Sequence, residues 1–106
     1  MRELIDNVIQ WANDRNIIEG STPIKQLDKT SEEFNELQRA VGMYTLTEDD
    51  NWLEDVLDGF GDVLVTLIIA AKQLDIDLED ALAAAYEEIR HRKGKLINGL
   101  FHKDID

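Results

Sequence analysis

Three features of the sequence predict an all-α fold. A single proline in 106 residues leaves the chain with few helix breakers. Leu, Ala, Glu and Asp are abundant while β-branched alternation is scarce. Apolar residues recur at helical spacing between start and stop signals. The length suits one domain over residues 1–106, without internal repeat, low-complexity tract or linker. The expected architecture is a compact four-helix arrangement whose core is completed by oligomerisation, as a homodimer or homotetramer.

The first helix is expected from Glu3 to about Arg15, on the spacing of Leu4, Ile5, Val8, Ile9, Trp11 and Ala12. "GSTP" then starts the second, with Ser21 or Thr22 as N-cap and Pro23 in the first turn. It runs to about Val41 with Ile24, Leu27, Phe34, Leu37 and Val41 as its apolar stripe, and Gly42 as the stop. Thr47 is a candidate cap for a third helix reaching about Leu74, which carries Leu53, Val56, Leu57, Phe60, Leu64, Leu67 and Ala71 on one side. A fourth helix, opened by Asp75 or Asp77, extends to about Lys93. The tail "GKLINGLFHKDID" has its own apolar residues and is expected to pack back on the body.

The balance of 23 acidic against 11 basic side chains gives a formal charge of -12. Nucleic acid and anionic membrane would both repel such a surface. The acid is left with two uses, solubility or the binding of cations. With no cysteine, disulfides, thiolate metal sites and cysteine nucleophiles are excluded. The start "MRELIDNVIQ" lacks the basic-then-apolar pattern of a signal peptide, and the apolar run Val63 to Ala71 is too short to span a bilayer. A cytoplasmic protein is expected.

The carboxylates fall into a pattern. At about 100° per residue, Asp62 lies about 40° and Asp55 about 60° from Asp58, while Leu53, Phe60, Leu64 and Leu67 lie roughly opposite. Toward the C-terminus the acidic stripe becomes Val65, Thr66 and Ile69, in a part of the helix that is apolar all round. Asp62 is therefore expected beside the core, where a lone carboxylate is costly unless paired or bound to metal. In "SEEFNEL", Glu33 and Glu36 flank the apolar Leu37 in the same manner. Two carboxylate pairs on two helices can converge on one cation. An all-oxygen ligand set favours Mg²⁺, or Mn²⁺. Gly59 and Gly61 each cost a helix about 1 kcal/mol relative to alanine, which suggests that another backbone or a substrate comes close there. "GFG" is no dinucleotide fingerprint, since the third glycine and the preceding strand are missing. Glu32, Glu54 and Asp55 are read as solvated.

These stretches resemble the MazG-like all-α nucleotide pyrophosphohydrolases. "KQLDKTSEEFNEL" resembles the family's first motif, "DGFGDVLVTLIIAAKQLDIDLEDAL" its second, and "AYEEIRHRKGKLINGLF" its closing segment. The family's Glu-x-x-Glu and Glu-x-x-Asp pairs bind Mg²⁺. Carried over, they give Glu33, Glu36 and Asp62, with Gly59 standing where the fourth acid is expected. Asp58 is the nearest replacement, in a "D-x-x-G-D" spacing like that of phage-type members, and Asp55 is the reserve.

The resemblance implies hydrolysis of a nucleoside or deoxynucleoside triphosphate to monophosphate and pyrophosphate, with Glu33 or Glu36 accepting the attacking water's proton. Lys29, one turn before Glu33, is placed either to reach a phosphate or to pair with Glu33. Lys93, Lys95 and Asn98 resemble the closing Lys and Asn that contact substrate, although Asn98 also suits a turn at Gly99. Trp11 is a base-stacking candidate by resemblance, against the commoner reading of a core aromatic, and Tyr86 shares that ambiguity. His91 and His102 have no ligand spacing and are read as surface residues. The competing function is a non-catalytic acidic helical module for a basic partner protein. A di-iron bundle is disfavoured because no Glu-x-x-His motif is present.

Overall fold

The computed structural model describes residues 1–104, which are mostly helical and divide into two compact units. The first, residues 1–76, contains α1 (Arg2–Asp14), α2 (Ile17–Gly20), α3 (Pro23–Thr47) and α4 (Asp50–Gln73). The second begins at Asp77 and contains α5 (Leu78–Ile89) and the strands β1 (Gly94–Ile97) and β2 (Leu100–Lys103).

Capping chemistry sets most of the boundaries. The Thr22 side chain accepts from the Lys25 backbone N–H at 3.2 Å, with Pro23 in the first turn of α3. Asp77 caps α5 by accepting from Glu79 N–H at 2.9 Å. Asp49, not Thr47, caps α4, accepting from Asn51 N–H at 2.9 Å. Thr47 is instead the last residue of α3, which passes through Gly42 because nothing crowds that site and Met43 and Tyr44 beyond it are half-buried. The turn at α2 was not anticipated. It is entered by Asn16 in the left-handed region and tied to α4 by the Gln73 amide, which donates to the Ile18 carbonyl at 3.2 Å.

The core of the first unit is the antiparallel hairpin of α3 and α4. Thr30 meets Thr66 at 2.7 Å, and Leu37 lies against Gly59, so seven residues forward on α3 match seven back on α4. Gln26, Thr30, Glu33, Leu37, Ala40 and Tyr44 occupy this 3-4 seam on α3. Trp52, Val56, Gly59, Val63, Thr66, Ala70 and Gln73 occupy it on α4, and every one is buried or half-buried. The Thr30 hydroxyl donates to Thr66, which donates onward to the Val63 carbonyl at 2.8 Å. α1 packs on α4 and buries Ile5 and Ala12.

The expected apolar stripes are one position away from this seam. Of the predicted α3 stripe only Leu37 is buried. Leu27, Phe34 and Val41 on α3, with Leu53, Leu57, Phe60 and Leu64 on α4, remain exposed. In an antiparallel pair, the residues immediately following the seam on both helices point to the same side, so these side chains form one outward apolar face. The seam itself has small residues at Thr30, Ala40, Gly59, Thr66 and Ala70, which let the two backbones approach, and Leu37, Tyr44, Trp52, Val56 and Val63 fill the space between them.

In the second unit, the tail, for which no secondary structure was expected, is a β-hairpin. Its register pairs Gly94 with Lys103, Lys95 with His102, Leu96 with Phe101 and Ile97 with Leu100. Asn98 and Gly99 form its two-residue turn, both with left-handed backbone (φ 51° and 80°), the Asn-Gly chemistry of a tight hairpin. A Cβ at Gly94 would collide with the His102 carbonyl oxygen, so glycine is required there. α5 stops at Ile89 rather than Lys93. Among the described residues, no helix is long and apolar enough to cross a membrane.

Candidate functional site

The residues immediately preceding the seam point to the side opposite the apolar face. On α3 these include Lys25, Lys29, Glu32, Glu36 and Arg39; on α4 they include Asp55, Asp58, Asp62, Val65 and Ile69. This row carries most of the hairpin's chemistry. A groove of about 480 Å³ is lined by Glu36, Asp55, Asp58 and Asp62 together with Arg39 and Trp52. A second, of about 560 Å³, places Glu33, Lys29, Lys25 and Gln26 with Trp11, Thr66 and Asp62. A third, of about 380 Å³, lies between α1 and α4 and joins Asn7 and Trp11 to Asp62 and Val65. Asp62 belongs to all three.

The two glycines have different surroundings. A Cβ at Gly59 would stand 3.0–3.3 Å from the side chain and Cα of Leu37, so the glycine admits the α3 backbone. Around Gly61 nothing lies within 4 Å. The expectation of a close neighbour therefore holds for Gly59 only. Position 59, where the resemblance expects an acid, lies on the buried seam, where a carboxylate would meet Leu37, whereas Asp58 and Asp55 both open into the groove of Glu36 and Asp62.

Two expectations need correction. Asp62, expected beside the core, is exposed and lines one groove with Glu36 and another with Glu33, because the buried side of α4 runs through Gly59, Val63 and Thr66. The carboxylate on the seam is Glu33, whose side chain is only 13% exposed and whose Oε1 pairs with Lys29 Nζ at 3.4 Å. Lys29 also reaches Glu32 Oε2 at 3.7 Å, and the two acids raise its pKa above the ordinary lysine value, the Glu33 contact most strongly. Finally, Glu33 and Glu36 open into different grooves, and among the described residues no three acidic or histidine side chains close to metal-ligating geometry. The physical reason is that Glu33 is drawn to Lys29 while the aspartates of α4 are like charges leaving one helix face.

Trp11 is not a core residue. It is 45% exposed, and the Arg15 guanidinium lies 4.7 Å from its ring centroid. Lys93, Lys95 and Asn98 belong to the second unit. Lys95 is on β1, the Lys93 carbonyl accepts from Asp104 N–H at 2.7 Å, and Asn98 forms the hairpin turn. Tyr86, on α5, and both histidines are exposed. Sequence reading missed Arg39 and Trp52 in the acidic groove. Arg39 follows Glu36 by three residues and so shares its face, a signal that was available. Trp52 depended on knowing the seam.

In kind, the donor set fits a hard divalent cation: Glu36, Asp55, Asp58 and Asp62 present carboxylate oxygens to one groove. The chain is similar to a phage protein of uncharacterized function. The relative, an uncharacterized 18.2 kDa protein in the rep-hol intergenic region of Haemophilus phage HP1 (strain HP1c1), is 43% identical over 77 residues. The match covers 73% of this chain but only 43% of the relative. No family model and no solved structure matches the chain.

Proposed function

We propose that the chain is a Mg²⁺-dependent nucleoside triphosphate pyrophosphohydrolase of the MazG-like kind, acting in the cytoplasm as a homo-oligomer. The observation that carries this reading is the position of Asp62, which joins an acidic groove containing Glu36 and Asp58 to an aromatic and basic groove containing Trp11, Lys29 and Glu33. A nucleoside triphosphate has the matching polarity, with a flat base at one end and a polyanion at the other.

Glu36, Asp58 and Asp62 would hold the cation, with Asp55 beside them and Mn²⁺ an acceptable substitute. Bound there, the ion would neutralise phosphate charge and polarise the phosphorus. Lys29 and Lys25 face a phosphate chain lying along the second groove, and Trp11 offers its ring to the base. Glu33 keeps Oε1 on Lys29, so Oε2 accepts the proton of a water attacking the α-phosphorus. The new P–O bond forms as the bridging oxygen leaves with pyrophosphate.

The test is incubation with each nucleoside and deoxynucleoside triphosphate plus Mg²⁺, assaying monophosphate and pyrophosphate. Asp62→Asn and Glu36→Gln are expected to abolish turnover with the helical circular dichroism intact. A real activity that survives both changes would sink the site. The exposure of Glu36, Asp58 and Asp62 favours a second reading, an acidic module that grips a basic protein. No turnover of any nucleotide, and no thermal stabilisation by Mg²⁺, would select it.

A further inference from the structure

The third groove, between α1 and α4, is unused by the phosphate chemistry, although Trp11, Asp62 and Val65 line it and the second groove alike. The two grooves differ in kind. Lys25, Lys29 and Glu33 complete the second, which suits a phosphate chain. Leu4, Asn7 and Val8 complete the third, and among the described residues lining its 380 Å³ none is basic. A volume of this order is enough for a small ring.

The helical period of α1 brings this lining together. Leu4, Asn7, Val8 and Trp11 fall at i, i+3, i+4 and i+7 and so share one face, while Val65 comes from α4. Leu4, Val8 and Val65 are apolar walls for a flat ring. The indole beside them is restrained from elsewhere: the Arg15 guanidinium stands 4.7 Å from its centroid, and Arg15 Nη1 donates to the Trp11 carbonyl at 3.2 Å. Arg15 lines neither groove, so it steadies the ring without filling the space next to it. Asn7 is the one uncharged polar side chain among the described residues of the third groove. Standing one turn before Trp11, it is a neighbour of the indole on the helix surface. Its amide carries both donors and an acceptor, the mixture found on the Watson–Crick edge of a base.

From these observations we infer that the nucleobase lies in the third groove beside Trp11 and that Asn7 reads its edge, making Asn7 a specificity-determining residue. The inference rests on the hydrolase reading only for the presence of a nucleotide. Asp62, common to all three grooves, then marks the point where base and sugar give way to metal-bound phosphate. The chemistry at position 7 sets a direction. An aspartate there only accepts, so it keeps a contact with the amino group of cytosine or adenine and opposes the carbonyl that uracil or hypoxanthine has in its place.

The experiment measures kcat and KM of the full chain and of the Asn7→Leu and Asn7→Asp variants with Mg²⁺, on CTP against UTP and on ATP against ITP. Each pair differs by an amino group against a carbonyl. Asn7→Leu is expected to raise KM about tenfold with kcat little changed. Asn7→Asp should shift kcat/KM toward CTP and ATP, over UTP and ITP, by about tenfold or more. Alongside, isotope-labelled wild-type protein is titrated with CMP and AMP, and the Asn7 side-chain amide and Trp11 indole N–H resonances are expected to move. In a protein that turns nucleotides over, unchanged KM values and ratios in both variants overturn the inference and leave the hydrolase reading standing. If no nucleotide is turned over, or if the variants unfold, the wild-type resonances decide. Shifts at Asn7 and Trp11 keep the base site even where hydrolysis fails, and their absence overturns it.

Discussion

The two outward faces of the α3–α4 hairpin come from the same helices and the same register, yet one is acidic and grooved and the other is apolar and without charge. Between them lies a seam in which threonines, alanines, a glycine and glutamines alternate with Leu37, Val56 and Val63, with Glu33 as its carboxylate and Tyr44 and Trp52 at one end. The comparison teaches that hydrophobicity alone does not find the interior of a small helical chain. The most apolar stripe looks outward, and the closest helix contact is made by the residues that take least room. Each side of the hairpin is thus free to serve a separate purpose.

The largest separation of the two faces should appear in activity. Asp62→Asn is expected to lower pyrophosphohydrolase turnover by about a hundredfold or more, with the sedimentation and denaturant midpoint of the wild type. If the loss of turnover came with a loss of assembly, the faces would not be independent.

The seam between them can be tested through its glycine. Gly59→Leu forces a side chain against Leu37 and should cost about 1–3 kcal/mol in urea denaturation. Gly61→Ala, in open space two residues away, should stabilise by up to about 1 kcal/mol. Equal effects at the two sites would contradict the seam. Thr66→Val is expected to cost about 1 kcal/mol, a modest loss because the Thr30 hydroxyl, with its one proton released from Thr66, turns it to the Gln26 carbonyl 2.9 Å away.

The smallest effect belongs to Lys29. Its pKa is raised above 10.5 by Glu33 and Glu32, so the stabilisation from the pair is complete below that value and disappears as pH rises through the raised one. Stability curves of the wild type and Lys29→Gln should converge at high pH. Curves that stay parallel would show that the lysine acts through packing.

Much of the fold was legible because local chemistry decided it. Thr22, Pro23 and Asp77 mark helix starts by the hydrogen bonds and dihedrals they supply, and those starts are where the structure has them. Gly42 misled because a glycine ends a helix only where a left-handed turn follows, and the turn comes at Glu48 instead (φ 56°). The β-hairpin was equally readable, since Asn98-Gly99 between two apolar pairs is a strong hairpin signal; the helical reading of the rest obscured it. For the site, the acids were found but their depths were not. Which of Glu33 and Asp62 is shielded depends on the side of α4 that meets α3, and Gly59 and Thr66 settle that through contacts no helical wheel contains.

The one-for-one register of α3 and α4 also limits how this chain can change in length. Inserting one residue in either helix would turn everything beyond it by about 100°, sending acids toward the seam and leucines into the grooves. Only steps close to a full heptad keep the rows aligned. Single-residue insertions are therefore expected to survive at the Glu48–Asp49 tip and nowhere along the two helices, which makes that tip the natural place to attach a label or a tether.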